Sequence, residues 1–200
     1  MGVFYGAAAA EAQAMSGRHV YVVGGANSAG QAAVHLSRYA DQVTLVVRRA
    51  TLSETMSAYL VREIEASATI QVLYGTEVVD GEGEDRLTGL TLRDRASGAA
   101  TTVPAEALFV LIGAAPRTSW LPASVVRDVD GFVLTGTDLM GSGGPPTGWP
   151  LERRPLMFET SLPGVFAIGD VRHGSVKRVA SAVGAGSVAV RLLHDYLDTV

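Results

Sequence analysis

The stretch VVGGANSAG, residues 22–30, ends an apolar run and opens a helix of small residues. The fingerprint G-x-G-x-x-G/A lies on it as Gly24-x-Ala26-x-x-Ala29. Such a turn passes tightly from strand to helix and lets the backbone come close to a pyrophosphate. It also aims the first N–H groups of the helix at that anion. Gly24, Gly25, Ala26, Asn27, Ser28 and Ala29 would line it. Ala26 stands where the fingerprint has its middle glycine, so a methyl group narrows the approach. A tight strand-to-helix loop without a ligand could carry the same residues, and the flanking sequence has to decide.

Working outward, HVYVV (19–23) is a short apolar run that suits a buried parallel strand. Ala29, Ala33, Leu36 and Ala40 then recur at helical spacing, and QVTLVV (42–47) reads as a second buried strand. TLSE (51–54) matches a capping box, with Met56, Leu60 and Ile64 continuing a helical stripe. IQVLY (70–74) is a third strand, so 19–74 reads β-α-β-α-β. TEVVDG, RLTGLTLRD and ATTVP follow as an antiparallel meander, and ALFVLIG (107–113) is again a buried strand. From about Leu121 the chain becomes irregular, with a Gly/Pro loop at GSGGPPTGWP (141–150). GVFAIGD (164–170) reads as a last strand ending at an acid, and 178–197 as a long closing helix. The fold class is α/β: a Rossmann-like, three-layer nucleotide-binding domain with an antiparallel meander, followed by a second region.

The second strand refines the ligand. An NAD site usually has an acid about 20 residues after the glycines, bonded to the ribose hydroxyl. Here the strand ends in Arg48 and Arg49. Two guanidiniums at that tip pair bidentately with a 2′-phosphate and point to NADPH. Solvated surface charge is the competing reading.

Composition excludes several classes. The 200 residues carry a net charge of −4 and no basic run of the nucleic-acid-binding kind. There is no cysteine, hence no disulfide, thiolate metal site or thiol nucleophile. Residues 1–17 lack the basic start and the long apolar core of a signal peptide, and no apolar run is long enough for a membrane span. The expectation is a cytoplasmic protein without membrane or nucleic-acid partners. His19, His35, His173 and His194 lack metal-ligand spacing. For His173, in GDVRHGS, a flavin-side role and a loop role both stay open. Tyr59 is followed by LVRE, so the Tyr-x-x-x-Lys of short-chain dehydrogenases is missing. Trp120 and Trp149 read as packing anchors, and Glu82, Glu84 and Asp85 as a solvated turn.

The succession GVFYGAAAAEA … VYVVGGANSAGQAAVHL … VTLVVRR … ALFVLIGAAPRT … ETSLPGVFAIGDVRHGSVKRVASAVGAGSVAV resembles the low-molecular-weight thioredoxin reductases and their thioredoxin-reductase-like relatives. The resemblance covers nearly the whole chain. It implies an NADPH-dependent flavoprotein oxidoreductase with FAD and NADPH as cofactors. Asp170 and its neighbour Gly169 would bind the ribityl and phosphate region of the flavin, with Arg178, Val179 and Ala180 along it. Ile112 and Gly113 would join the cofactor-binding set. The implied division is a lead-in segment at 1–17, an NADPH domain at 18–118 and the C-terminal part of an FAD domain at 119–200. The other half of the FAD domain would precede Met1, so 1–200 alone would hold FAD weakly or not at all.

Two further departures from the family bear on function. Thioredoxin reductases carry a redox Cys-x-x-Cys just after the tyrosine aligned with Tyr5. Here those four positions are Gly6, Ala7, Ala8 and Ala9. Alanine is also the best helix former, so the same residues suit a plain helix start. The third arginine that often follows the family's pair is here Ser53. With no local dithiol, the electron acceptor would meet the flavin directly (a thioredoxin-like or ferredoxin-like protein, or a quinone) or through a disulfide elsewhere. No catalytic residue and no metal ligand is assigned, and a homodimer is left open. The rival reading is a non-catalytic NADP(H)-sensing module of a larger regulatory protein.

Overall fold

A computed structural model describes residues 1–7, 9–140, 144 and 148–198. Most of the expected Gly/Pro loop (141–143 and 145–147) and Ala8 of the alanine run lie outside the described residues. The chain divides into two compact units, Met1–Gly113 and Ala114–Val200.

The first unit is built on a five-stranded parallel sheet. Its strands are β1 (Val3–Phe4), β2 (His19–Val23), β3 (Gln42–Val47), β4 (Ile70–Tyr74) and β8 (Ala107–Val110), in the order β1-β8-β2-β3-β4. Alternation along β2 explains the layering. Val20 and Val22 face one core, with Ala29, Ala33 and Leu36 of α2 (Asn27–Leu36) and Leu60 and Ile64 of α3 (Ala58–Glu65). Ala12 and Met15, at and just after α1 (Ala9–Gln13), belong to the same core. Tyr21 faces the other core, with Val46, Leu90, Leu92 and Leu108. That second face is covered by the antiparallel meander β5 (Thr76–Glu82), β6 (Gly89–Asp94) and β7 (Ala100–Pro104). The three layers are therefore helices, parallel sheet and meander, as the patterning implies.

Several boundaries differ from the sequence reading. β1 is invisible to pattern, because two residues carry no periodicity; it exists because Phe4 stacks on Phe109 of β8 at 4.8 Å. β8 stops at Val110, so Leu111–Gly113 leave the sheet. α2 closes at Leu36, and Ala40 is buried in the turn beyond it. The capping box fails as a helix start. Thr55 and Met56 N–H groups donate to the Leu52 carbonyl, closing one turn, but Ser57 then goes extended and α3 starts at Ala58.

In the second unit the expected strand 164–170 is absent. A strand persists where a neighbour completes its ladder. Here the segment has a single bridge, Glu159 to Phe166, before a 3₁₀ turn at Gly169–Val171. Order comes instead from side chains. Both oxygens of the fully buried Glu159 carboxylate accept from Arg153, at 2.6 and 2.9 Å, and each accepts one N–H as well, from Leu156 and from Gly164. Burial alone would raise the Glu159 pKa, but these four donors outweigh it and hold it below the usual range. Trp149 anchors here as expected, its indole N–H donating to the Arg153 carbonyl at 2.7 Å. Trp120 does not: it is 79% exposed on an irregular stretch. The closing helix α4 (Val179–Leu197) forms over the expected stretch except Arg178, its extended N-cap, yet buries none of its residues.

Candidate functional site

Parallel sheets place ligands outside the carboxyl ends of their strands, where the strand order reverses. In the first unit that point lies between β2 and β8. From β2 the chain runs outward through β3 and β4, and β8 returns on the opposite side of β2. The segments leaving these two strands are Gly24–Ser28, which the turn pattern singles out, and Leu111–Gly113, of which the family resemblance implies Ile112 and Gly113.

Gly24 is buried and has φ 147°, a conformation side chains rarely adopt. A Cβ there would strike the Leu111 carbonyl oxygen and lie 2.9 Å from the Ala29 Cβ. The turn is therefore walled directly by the segment that follows β8. Ala26 is extended and is the N-cap of α2, with no side-chain cap; the Ala29 and Gly30 N–H groups both donate to its carbonyl. The helix thus leaves its first N–H groups for an outside acceptor. Ala26, Asn27 and Ser28 are exposed, while Ala29 is buried. Gly30, one residue beyond the fingerprint, has its own reason: a Cβ would lie 2.7 Å from Met56 Sδ. Ile112 is 71% exposed, and Gly113 has open space where a Cβ would stand.

A strap, residues 51–57, connects the glycine turn to the tip of β3. The Thr55 hydroxyl donates to the Gly25 carbonyl at 2.7 Å, and the Ser57 N–H donates to Asn27 Oδ1 at 2.8 Å. Asn27, expected on the nucleotide, spends its side chain on the strap. Sequence reading misses this because the partners are 30 residues apart. At the β3 tip Arg48 and Arg49 are both exposed. Arg49 Nη1 lies 2.9 Å from Glu54 Oε2, and the Thr51 hydroxyl donates to Glu54 Oε1 at 3.2 Å. The Ser53 hydroxyl donates to Thr51 at 3.3 Å. A third guanidinium also arrives here, unseen in sequence. Arg95, just after β6, donates from Nη1 to the Arg48 carbonyl at 3.0 Å. Only the meander's return brings it there.

The flavin-side residues belong to the second unit. Gly169 has φ 70° in its 3₁₀ turn, and Asp170 is exposed, its carbonyl accepting from Lys177 Nζ at 2.7 Å. Arg178 is the N-cap of α4, and Val179 and Ala180 open that helix, all three exposed. A hollow of about 260 Å³ runs beside them, lined in part by Phe158, Gly169, Arg172, Ala182 and Ala185. His173 Nδ1 lies 2.6 Å from Asp128 Oδ2, and this bond holds the Asp128 carboxyl below its usual range. The loop role of His173 thus has a concrete partner. A larger hollow of about 630 Å³ opens at the other end of the first unit's sheet, near His19 and Glu106, away from the glycine turn. Among the described residues no cluster of His, Cys, Asp or Glu could hold a metal, and no helix is long and apolar enough to cross a membrane.

Known proteins share this fold. The family model of the pyridine nucleotide-disulphide oxidoreductases matches residues 4–186. Thioredoxin reductase of Treponema pallidum is 30% identical, aligned over 92% of this chain and 52% of its own length. Thioredoxin reductase of Streptomyces clavuligerus is 32% identical over 89% of this chain and 49% of its own. Among solved structures, T. acidophilum thioredoxin reductase superposes with a TM-score of 0.69 at 28% identity, over 99% of this chain and 58% of that one. The chain spans about half the length of the thioredoxin reductases it matches.

Proposed function

The chain belongs to the pyridine nucleotide-disulphide oxidoreductase family, and from that premise we propose that it is the NADPH-binding part of a thioredoxin-reductase-like flavoprotein, together with one portion of its flavin site. NADPH would supply a hydride, and FAD would pass the electrons to an acceptor. The carrying observation is the turn at Gly24. It is pressed against Leu111 at the reversal of strand order, and it opens a helix whose first N–H groups lack acceptors within the helix. These groups would hold the pyrophosphate, while Arg48 and Arg49 would take the 2′-phosphate of the adenosine ribose. Gly25, Ser28, Ala29, Ser53, Ile112 and Gly113 would complete the walls of this site. Ala26, as N-cap, would shape the approach, and Asn27 would act by fixing the strap.

On the flavin side, Gly169, Asp170, Arg178, Val179 and Ala180 would receive the ribityl and phosphate region. The exposure of the last four supports a half-site that another stretch of protein completes. No cysteine is present, so none of these residues passes electrons as a thiol. The acceptor, a thioredoxin-like or ferredoxin-like protein or a quinone, would then be reduced at the flavin or through a disulfide outside this sequence. The alanines near Tyr5 also favour a second reading, an NADP(H)-sensing module that transfers no electrons. A yellow full-length protein whose flavin is bleached by NADPH supports the enzyme; a colourless one that binds NADPH supports the sensor.

The site itself is tested by calorimetric titration. Replacing both Arg48 and Arg49 with Ala should weaken NADP⁺ more than NAD⁺, by about 1–3 kcal/mol if one charged hydrogen bond is lost. Equal losses for both nucleotides would overturn the assignment of this pair to the 2′-phosphate.

A further inference from the structure

Glu54 stands in an unexpected place for an NADPH site. The usual NAD fingerprint puts an acid at the end of the second strand, and this chain has arginines there. The fold nevertheless returns a carboxylate to the same tip, from the strap, 2.9 Å from Arg49. The two side chains of the pair, Arg49 and Glu54, are 42% and 46% exposed, so it stays open to solvent and to a ligand. The backbone of Glu54 is fixed on both sides. Leu52 and Met56 are buried, and Thr55 is bonded to Gly25. The Thr51 hydroxyl holds the second carboxylate oxygen. A ligand can therefore separate the exposed pair, but it cannot carry the negative charge away from the tip.

We propose that Glu54 sets coenzyme choice, drawing on the Arg49 guanidinium that a 2′-phosphate needs and offering a free ribose hydroxyl an acceptor instead, so that the site takes NADH alongside NADPH. The inference rests on the nucleotide site proposed above. A 2′-phosphate carries a charge of about −1.5 to −2 near neutral pH, as phosphomonoesters do. At this tip it meets Arg48 with no ion pair of its own among the described residues, and Arg49 already paired with Glu54. The ribose of NADH brings no charge and donates a hydrogen bond, which a carboxylate accepts. The opposite role is physically distinct: Glu54 could merely hold Arg49 in the pose that phosphate prefers. The two roles differ in sign.

The test is titration calorimetry of the 200-residue chain with 2′,5′-ADP and 5′-ADP, in the unsubstituted protein, Glu54→Gln, Arg49→Ala and the double variant. Thermal melts establish that each variant is folded. Glu54→Gln should raise the preference for 2′,5′-ADP over 5′-ADP by about tenfold, the order of one charged hydrogen bond regained. That gain should shrink, without vanishing, when Arg49 is already Ala, because the Glu54 carboxylate still accepts from a free ribose hydroxyl; a role confined to posing Arg49 would give a loss in Glu54→Gln and no change in the double variant. A preference that stays level or falls in Glu54→Gln, while Arg49→Ala still lowers it, overturns the role of Glu54 and leaves the nucleotide site standing. Absence of binding by the unsubstituted chain overturns both.

Discussion

Where Met1–Gly113 buries Phe109, Leu36 and Leu45 completely, Ala114–Val200 gives the most enclosed position among its described residues to Glu159. The buried residues described in the first unit are almost all apolar and come from strands and helices that pack in layers. In the second, Val125, Val133, Leu139 and Phe158 share the interior with Thr118, Thr135, Glu159 and Thr160. Its links are directional: the Arg153 fork on Glu159, Arg127 Nη1 on the Thr118 carbonyl at 2.6 Å, and Asp128 accepting the Asp130 and Phe132 N–H groups. Apolar layers tolerate small adjustments of neighbours, whereas a buried ionic network fails when one member is lost. The first unit is therefore held by apolar layers, and the second, α4 apart, by loops pinned together through directional bonds.

The largest effect that would sharpen this contrast is expected from Glu159→Ala. It leaves the Arg153 charge and two backbone N–H groups without their acceptor, at a cost of about 3–5 kcal/mol. Hydrogen exchange should rise across 114–198 and stay protected in β2, β3 and β8. Loss of protection in both units together would break the comparison and make the chain one cooperative body. Acid should act the same way, more gradually. The folded Glu159 carboxyl sits below its ordinary range. Its contribution is therefore complete above the unfolded value, about 4.3, and is lost as pH falls through the lower folded value. The second unit should loosen first when acidified, as read by exchange at about pH 3–4 against about pH 7.

A middle-sized effect belongs to the first unit. Gly24→Ala forces a side chain into φ 147° and against Leu111, so about 1–3 kcal/mol of stability should go, together with nucleotide binding. A melt that matches the unsubstituted protein, with binding retained, would show that the turn is looser than its backbone implies. The smallest effect is expected from Glu77→Ala. Its pair with Arg93, at 2.8 Å, joins side chains that are 36% and 48% exposed on the meander, and exposed pairs of this kind contribute about 0–1 kcal/mol. A shift in melting temperature as large as that of Gly24→Ala would show that the meander supports the sheet through its charges.

The same contrast explains what was legible in the sequence. Val20, Val22, Val43 and Leu45 announce buried strands because apolar runs need only a neighbouring layer to become one. GVFAIGD has the same texture, but among the described residues it has only the Glu159–Phe166 bridge, so it stays irregular. Texture reports the wish to be buried and not the presence of a neighbour. At the candidate site the turn and the arginine pair could be read because they are contiguous. The hold of Asn27 on Ser57, the approach of Arg95 to Arg48 and the pairing of Glu54 with Arg49 are long-range or depend on a turn the capping pattern misdescribes. No spacing rule could have found them.

The wall of the glycine turn has a consequence in time. β2 meets β3 through residues 20 and 43, but it meets β8 through residues 20 and 107. During synthesis at about 5–20 residues per second, Gly24 emerges on the order of ten seconds before Leu111. Over that interval β2 gains β3 as a neighbour once residues 42–47 are made, and its other edge stays bare. The crevice at the strand reversal comes into being only after the whole meander has been made. The crevice proposed as the nucleotide site is therefore incomplete on the growing chain until the last strand of this unit has left the ribosome.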